Sequence, residues 1–290
     1  MAAMKSYCGL ALLVVGIFGA AIGLPAKEPA AKASVDEIIA GHLASIGTPE
    51  ARAAVNTRLA RGKVQMKIVQ GGVGTLDGGA FLLGEGKKFR VAMPFTYADY
   101  WGEQLLFDGS KMTIGFSQPA ARSTLGQFLI RAEEIFKEGL VGGVLSPSWA
   151  LLDLPGRQPK LSYSGLKGVD GRDAHQIVYH MKKGQGEEVI TLYFDPETFR
   201  HIKTSYEVTI SSGMVAKAND SAKQVEGHFM LEEIFSDFAK FDGLTLPQRW
   251  TIRTNIEANR SMVREWNVAL EGIIHNQPID PKTWVLDQPK

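Results

Sequence analysis

Apolar residues recur at every second position through most of residues 62–270, and this period constrains the fold more than any other feature of the chain. In Lys63–Val69, for example, Val64, Met66 and Ile68 share one face and polar side chains share the other. Such alternation is typical of a strand with one buried face. It predicts twelve strands, at Lys63–Val69, Gly79–Leu83, Lys88–Met93, Gln104–Phe107, Lys111–Phe116, Leu161–Gly165, His175–Met181, Val189–Phe194, His201–Ile210, Gly227–Phe241, Gln248–Ile256 and Val263–Leu270.

Turn-forming pairs and triplets separate many of these stretches. Asp-Gly, Gly-Gly and Asp-Pro sequences favour tight connections between neighbouring strands. No helices alternate with the strands, which indicates an antiparallel meander in a mainly β, α+β chain. The predicted turns are Gly71–Gly72, Asp77–Gly79, Asp108–Gly109, Asp170–Gly171, Asp195–Pro196 and Asp242–Gly243.

Two helices are predicted ahead of the strands. Ser34–Glu37 has the pattern of a capping box, in which the serine and glutamate side chains satisfy free backbone amides, so a helix should span Val35–Ile46. Gly47 suits its end. Thr48–Pro49 then supplies the N-cap and first-turn proline of a second helix, which should end near Leu59.

A third, amphipathic helix is predicted at Ser123–Leu140, in the middle of the strand pattern. Its apolar residues have helical spacing, with Arg131, Glu134 and Lys137 on the other side. This helix could be a lid over the sheet or a permanently docked core helix, and the sequence leaves both open. The polar stretch Gly213–Lys223 is predicted to be an exposed loop.

The N-terminus has the pattern of a cleavable signal peptide at residues 1–23, followed by a linker at 24–33 and one domain at 34–290. Lys5 is the only charge before an apolar run too short for a spanning helix, although an uncleaved anchor is the alternative. Cys8 lies at the start of that run, so we expect no acyl anchor. No cysteine follows it, so disulfides cannot stabilise the mature chain.

Charge and histidine spacing argue against several classes of site. Without Lys5 the chain has 31 basic and 31 acidic residues, which gives no electrostatic footprint for nucleic acid. Of the six histidines, His175 and His180 are closest in sequence, but a strand would place them on opposite faces. We therefore expect no metal and no cofactor.

Catalytic motifs are also weak. Ser164–Lys167 matches a Ser-x-x-Lys pattern but lies at the end of a predicted strand and not at the start of a helix, and Gly71–Gly79 joins two strands instead of opening a phosphate-binding helix. The acid pairs Glu187–Glu188 and Glu232–Glu233 also fall in strands, where neighbours point to opposite faces, and solubility is the simplest role for them. The chain is accordingly expected to bind and not to be an enzyme.

Several phrases resemble the LolA/LolB-like periplasmic lipoprotein carriers, and together they cover most of the mature chain. A strand with aromatic and aliphatic residues leads to a Lys-x-x-Phe-type strand and then to a hydrophobic-Asp-Gly-Lys hairpin. Later turn phrases and the C-terminal end are similar as well. The segments are Gly79–Leu83, Lys87–Val91, Leu105–Ile114, Leu192–Thr198, Phe241–Pro247 and Asn267–Trp284.

The resemblance implies an unclosed antiparallel half-barrel with helices over its mouth, whose interior takes up acyl chains. The chain departs from the family at Gly84–Gly86, where the carriers have an Arg-Pro whose arginine ties the lid shut. On the concave face we place Val64, Met66, Ile68, Phe81, Leu83, Phe89, Val91, Leu105, Phe107 and Ile114, with Phe128, Leu129 and Phe136 facing them from the lid.

The resulting hypothesis is a monomeric periplasmic carrier for lipidated or apolar cargo, such as outer-membrane lipoproteins or lipids. Its partners would be acyl chains and, in addition, envelope proteins of the inner and outer membranes. One alternative is an envelope stress sensor or scaffold that recognises a protein partner through exposed aromatics at Phe95, Tyr97, Tyr100 and Trp101. Another is an envelope enzyme with an unfamiliar site.

Overall fold

The computed structural model describes residues 33–119, 121–182, 188–210, 227–257 and 261–286, which all belong to one compact unit. The signal peptide expected at 1–23, nearly all of the linker and the loop expected at Gly213–Lys223 lie outside the described residues.

Twelve strands of the described chain form a single antiparallel sheet that does not close. Its order is β5-β4-β3-β2-β1-β12-β11-β10-β9-β8-β7-β6, so β5 and β6 are the two edges. The unclosed, mainly β architecture is therefore confirmed, and each predicted strand overlaps an observed one. The strands are β1 Thr57–Gln70, β2 Gly74–Glu85, β3 Lys88–Tyr97, β4 Tyr100–Phe107, β5 Met112–Ile114, β6 Lys160–Val169, β7 Arg172–His180, β8 Glu188–Phe194, β9 His201–Ile210, β10 Gly227–Phe241, β11 Leu244–Glu257 and β12 Ser261–His275.

The first and last strands meet at the centre of the sheet. Val64 and Met66 of β1 lie opposite Val268 and Trp266 of β12, and all four side chains are buried on the concave face. Direct cross-strand pairs of this kind stabilise a sheet and fix its register. The concave face therefore runs continuously from the N-terminal strands into the C-terminal ones.

One predicted turn is wrong. Asp77–Gly79 lies inside β2, where the Gln65 side chain donates a hydrogen bond to Asp77 Oδ1 at 3.0 Å across the β1–β2 pair. A Cβ atom on Gly78 would lie 2.4 Å from the carbonyl oxygen of Pro94. The glycine therefore permits close approach of β3 and does not form a turn.

Helix α1 spans Val35–Ile46 with the expected capping box, because Ser34 Oγ accepts from the Glu37 amide and the Glu37 carboxylate accepts from the Ser34 amide. Helix α2 is only Pro49–Ala53, shorter than predicted. Of the other residues assigned to it, Thr57–Leu59 instead begin β1, where Arg58 pairs with His275 of β12.

The amphipathic segment forms two helices, α3 Thr124–Arg131 and α4 Glu133–Lys137, and not one. The backbone leaves helical geometry at Ala132, with φ −123° and ψ 43°. Because the apolar spacing continues through this residue, periodicity alone does not detect the break. Helix α5, Leu154–Arg157, and short 3₁₀ turns at Gly143–Leu145, Ala150–Asp153 and Pro281–Trp284 complete the helical structure of the described residues.

Candidate functional site

The concave face of the sheet is occupied by the segment Ser123–Leu145, which we call the cover segment. Its apolar side chains are buried, Phe128 with 0% exposure, and the Phe136 ring lies 5.9 Å from that of Phe89 on β3. Burial of one large apolar side chain stabilises by about 1.5–3 kcal/mol, so the cover contributes roughly 10 kcal/mol or more in this position. The buried side chains are Leu125, Phe128, Leu129, Ala132, Ile135, Phe136, Leu140, Val141, Val144 and Leu145.

Most residues predicted for the concave face are on it. The strand residues share the face that meets the cover, and Ile68, although only half-buried, packs against the same core. Their role in ligand binding stays a prediction. The residues on this face are Val64, Met66, Ile68, Phe89, Val91, Leu105, Phe107 and Ile114 on strands, and Phe128, Leu129 and Phe136 on the cover segment.

Phe81 and Leu83 were predicted on the wrong face. In β2 the inward residues are Ala80 and Leu82, which are buried, whereas Phe81 is 46% exposed on the outer face. With Leu59, Ile274 and neighbouring residues, Phe81 and Leu83 line an apolar pocket of about 470 Å³ outside the sheet. The error arose because positions 80–83 are all apolar, so the alternation does not identify the inward pair.

The N-terminal end of the cover is attached to the sheet through a buried carboxyl group. Glu103 of β4 is 3% exposed on the concave face. Its carboxylate accepts hydrogen bonds from the Tyr100 hydroxyl and, at 2.6 Å, from the hydroxyl of Ser123, the N-cap of α3. Burial raises the pKa of Glu103 to about 7, against the smaller opposing effect of these hydrogen bonds.

The C-terminal end of the cover is attached in a similar way through Glu233 of β10, which is fully buried. Glu233 Oε1 accepts from the Gly142 amide at 2.8 Å and from Trp250 Nε1 at 2.9 Å. Its Oε2 accepts from the Tyr206 hydroxyl at 2.7 Å. Burial raises the pKa of Glu233 to about 7, and the three hydrogen bonds lower it less. The solubility role expected for Glu233 is therefore wrong, since its strand neighbour Glu232 alone points outward, to Lys203 at 2.7 Å.

An arginine also holds the cover, from a position the sequence did not indicate. Buried Arg58 of β1 donates to the carbonyl oxygen of Val144, and its Nε donates to His275 Nε2 at 3.0 Å. His275 Nδ1 in turn lies 3.0 Å from Asp242 Oδ2. Burial lowers the pKa of Arg58 to about 10, so the guanidinium remains charged at neutral pH.

Two further hydrogen bonds join the cover to strands of the C-terminal half of the sheet. The hydroxyls of Thr124, at the start of α3, and Thr254 of β11 are 2.7 Å apart. The Tyr179 hydroxyl of β7 donates to Glu138 Oε1, just after α4, at 2.6 Å. Together with the bond to Glu103 of β4, these contacts join the cover to both halves of the sheet, and most of them lie near the ends of the cover.

Beyond the cover, Trp149 fixes the chain against two buried histidines. Trp149 Nε1 donates to His42 Nε2 at 3.0 Å, and its ring stacks on His201 with centroids 4.8 Å apart. Burial lowers the pKa of His42 to about 3 and that of His201 well below its ordinary value. Both imidazoles are therefore neutral parts of the core at physiological pH.

The sequence motifs considered for chemistry are separated in the structure. His175 is buried and His180 exposed on opposite faces of β7, as expected, and Ser164 lies in β6. Within the residues the structure describes, no group of three or more potential ligands among His, Cys, Asp and Glu could hold a metal ion. None of the helices in that part of the chain has the length and apolar character needed to cross a membrane.

A polar pocket of about 320 Å³ lies where the turns of the first strands, the end of the cover and α5 meet. Basic side chains line it, but most already have partners. Lys137 is paired with Glu133 and Glu134, and Arg157 lies 3.6 Å from Glu138. The pocket therefore does not present a strong field for an anion.

No family model matches this sequence, and no curated protein matches it. Among solved structures, a LolA superfamily protein from Nitrosomonas europaea is similar at 10% identity and a TM-score of 0.44, over 88% of this chain and 98% of that one. A DUF1329 family protein from Desulfovibrio piger is similar at 10% identity and a TM-score of 0.40, over 87% and 97%. At this identity and these TM-scores the two likenesses carry no functional argument, so function has to be argued from the residues.

Proposed function

We propose that this protein is a carrier that binds an acyl chain of a lipidated protein or lipid on its concave face, without chemical conversion. The observation that supports this most is the cover segment, because apolar side chains fill the face while polar contacts near the ends attach the segment to the sheet. Displacement of the cover would open the apolar surface of Val64, Val91 and Leu105 to a ligand.

Burial of an acyl chain and burial of the cover segment contribute free energies of similar size. An acyl chain of about 15 methylenes gains about 12 kcal/mol on burial, at about 0.8 kcal/mol for each methylene. The apolar side chains of the cover contribute roughly 10 kcal/mol or more in the closed position. Cargo can therefore replace the cover without leaving the concave face in water.

A photoreactive fatty acid tests this proposal directly. We expect saturable labelling of concave-face peptides that contain Val64, Val91 or Leu105, and competition by unlabelled fatty acid. The matched control positions are Phe81 and Leu83 on the outer face of β2, next to the inward Leu82. Labelling confined to Phe81 and Leu83, or no saturable labelling, would reject the concave face as the site.

Export to a periplasm is part of the same proposal. It rests on the sequence pattern of residues 1–23 and on the cysteine-free chain after them. Expression of the full chain in a diderm bacterium should give a soluble periplasmic protein that begins at about Leu24. Retention of residues 1–23 in a membrane fraction would contradict export by cleavage.

The outer apolar pocket favours a second candidate, recognition of a protein partner by an envelope sensor or scaffold. Phe81 and Ile274 are 46% and 52% exposed there. The aromatic patch first expected for this role is incomplete, because Phe95 is buried against Tyr100, with ring centroids 4.9 Å apart. A photo-crosslinker at position 81 that captures one envelope protein, with none captured from Leu166 on the exposed edge strand, would favour the sensor.

A further inference from the structure

Glu103 and Glu233 are the two buried carboxyl groups that bind the cover segment, one at each end. Glu103 accepts a hydrogen bond from the Ser123 hydroxyl at 2.6 Å, and Glu233 accepts one from the Gly142 amide at 2.8 Å. Both are on concave positions of their strands, in register with apolar neighbours such as Leu105 and Leu231. A charge at either position is shielded from water only while the cover is closed.

We propose that the cover is a proton-linked lid, which Glu103 and Glu233 hold closed in their neutral forms and release when they ionise. A neutral carboxyl group still has an oxygen that accepts from the cover, so the bonds to Ser123 and Gly142 persist. In Glu233 the proton would sit on Oε2 and be donated to the Tyr206 oxygen at 2.7 Å. Ionisation instead places a charge in an apolar interior, which is unfavourable unless water reaches it.

The sign of the linkage follows from the two positions of the lid. Burial in the closed state raises the pKa of each carboxyl group from 4.5 to about 7. In the open state water restores the ordinary value, so the closed state binds more protons between about pH 4.5 and 7. The lid is therefore most firmly closed at the acid end, and opening increases as pH rises to about 7 and then levels off.

The other groups around Glu103 do not reverse this sign. Glu103 faces the hydroxyls of Tyr100 on β4 and Ser123 on the cover, while Arg264 of β12 acts on Tyr100. Burial and the Glu103 carboxylate raise the pKa of Tyr100, which is therefore neutral throughout this range. Trp266 Nε1 donates to the Tyr100 hydroxyl at 2.8 Å and does not titrate.

The groups around Glu233 include one opposing influence. Tyr206 on β9 is neutral because burial raises its pKa, and Trp250 on β11 does not titrate. His201 lies beyond Gly143, where an added Cβ atom would be 2.9 Å from its Nδ1, and His42 is next to His201. Opening that exposed these histidines would favour their protonation below pH 6.5, so the carboxyl contribution has to be measured by difference.

Hydrogen exchange of the protein without cargo measures the contribution of the two carboxyl groups as a difference between wild type and a variant. Exchange of the amides in Leu125–Lys137 is compared at each pH between wild type and Glu103→Gln/Glu233→Gln, so the intrinsic chemical rate and the histidine contribution cancel. Glutamine keeps an acceptor oxygen and a donor in place but does not titrate. Amides of the central strands β1 and β12 report global opening in the same samples.

The ratio of cover exchange in wild type to that in the variant should rise by about 40-fold for each carboxyl group between pH 5 and pH 7. Glu232→Gln, on the outer face of β10, is the matched control and should behave as wild type. A ratio that does not change with pH would overturn the proposal. If the double variant does not fold, each single variant still predicts its own 40-fold change.

The use of this lid for cargo rests on the function proposed above, but its test does not. A pH-independent ratio together with saturable acyl binding would reject the proton link alone. A pH-dependent ratio without acyl binding would keep the link and reject the carrier.

Discussion

The two faces of the central strands differ in what covers them. On the concave face of β1 and β2, Val64 and Leu82 are buried beneath the cover segment, whereas on the outer face Phe81 and Leu83 line an open pocket. Neighbouring residues of one strand point to opposite faces, so alternate residues of the same short segments form the two surfaces. The comparison teaches that the concave apolar surface is closed by the protein itself, so a ligand would reach it only if the cover moved.

The largest expected effect distinguishes a cover residue from an outer-face residue of the same type. Phe128→Ala should lower the free energy of unfolding by about 3–5 kcal/mol, because it leaves a cavity in the packed concave face. Phe81→Ala should change it by less than about 1 kcal/mol, because that ring is 46% exposed. Urea unfolding at pH 7 measures both. Equal losses would mean that the outer pocket is as much a part of the core as the cover.

A second pair of variants makes the same comparison between the two faces of one strand, β10. Glu233→Ala should lower the free energy of unfolding by about 3 kcal/mol, since buried donors on Tyr206, Trp250 and Gly142 lose their acceptor. Glu232→Ala removes only the outward pair with Lys203 and should lower it by less than about 1 kcal/mol. Chemical denaturation of both variants at pH 6 is the measurement. A small loss for Glu233→Ala would argue that water already reaches this group.

A third prediction concerns how the free energy of unfolding changes with pH. The buried carboxyl groups and the buried histidines change it in opposite directions. The raised pKa values of Glu103 and Glu233 give stability that is lost as pH rises from 4.5 to about 7. The lowered pKa values of His42 and His201 give stability that is lost as pH falls below 6.5. Burial also lowers the pKa values of His175 and His275, which act in the same direction as His42 and His201. The carboxyl and histidine contributions oppose one another between pH 4.5 and 6.5.

Replacement of the two carboxyl groups should expose the histidine contribution. In Glu103→Gln/Glu233→Gln, the free energy of unfolding should fall by up to about 2.7 kcal/mol for each pH unit below 6.5, at about 1.4 kcal/mol for each histidine. Between pH 4.5 and 6.5, the free energy of unfolding of wild type and of the outer-face control Glu232→Gln should depend less steeply on pH than that of the double variant. A double variant with the same slope as wild type would show that the two carboxyl groups do not titrate on unfolding.

The sheet could be predicted from the sequence because alternation is a local signal. Most of the strands have it, and turn residues such as Asp108–Gly109 and Asp242–Gly243 mark the connections. The faces of β2 could not be assigned, since four apolar residues in succession satisfy either choice. The break at Ala132 was missed for a related reason, because apolar spacing persists across it.

The polar contacts of the cover were missed although part of the signal was present. Glu103 has the same parity as Leu105 and Phe107, so a charged residue stood at an inward position directly before the predicted strand Gln104–Phe107. Glu233 stands in the same way between Leu231 and Phe235. Arg58 could not be found, because the residues before Lys63 were assigned to a helix. A charged side chain at an inward position of a strand is therefore the pattern to search for.

The most direct test of the account is to lock the cover and measure acyl binding. The hydroxyls of Thr124 and Thr254 are 2.7 Å apart, so Thr124→Cys/Thr254→Cys should form a disulfide between α3 and β11 in a chain whose one natural cysteine is Cys8. Thr251→Cys/Asn267→Cys, which joins β11 to β12 outside the cover, is the control. The account predicts that oxidation abolishes binding of a fluorescent fatty acid in the first variant alone and that reduction restores it. Undiminished binding by the oxidised Thr124→Cys/Thr254→Cys protein would contradict the claim that the cover must move.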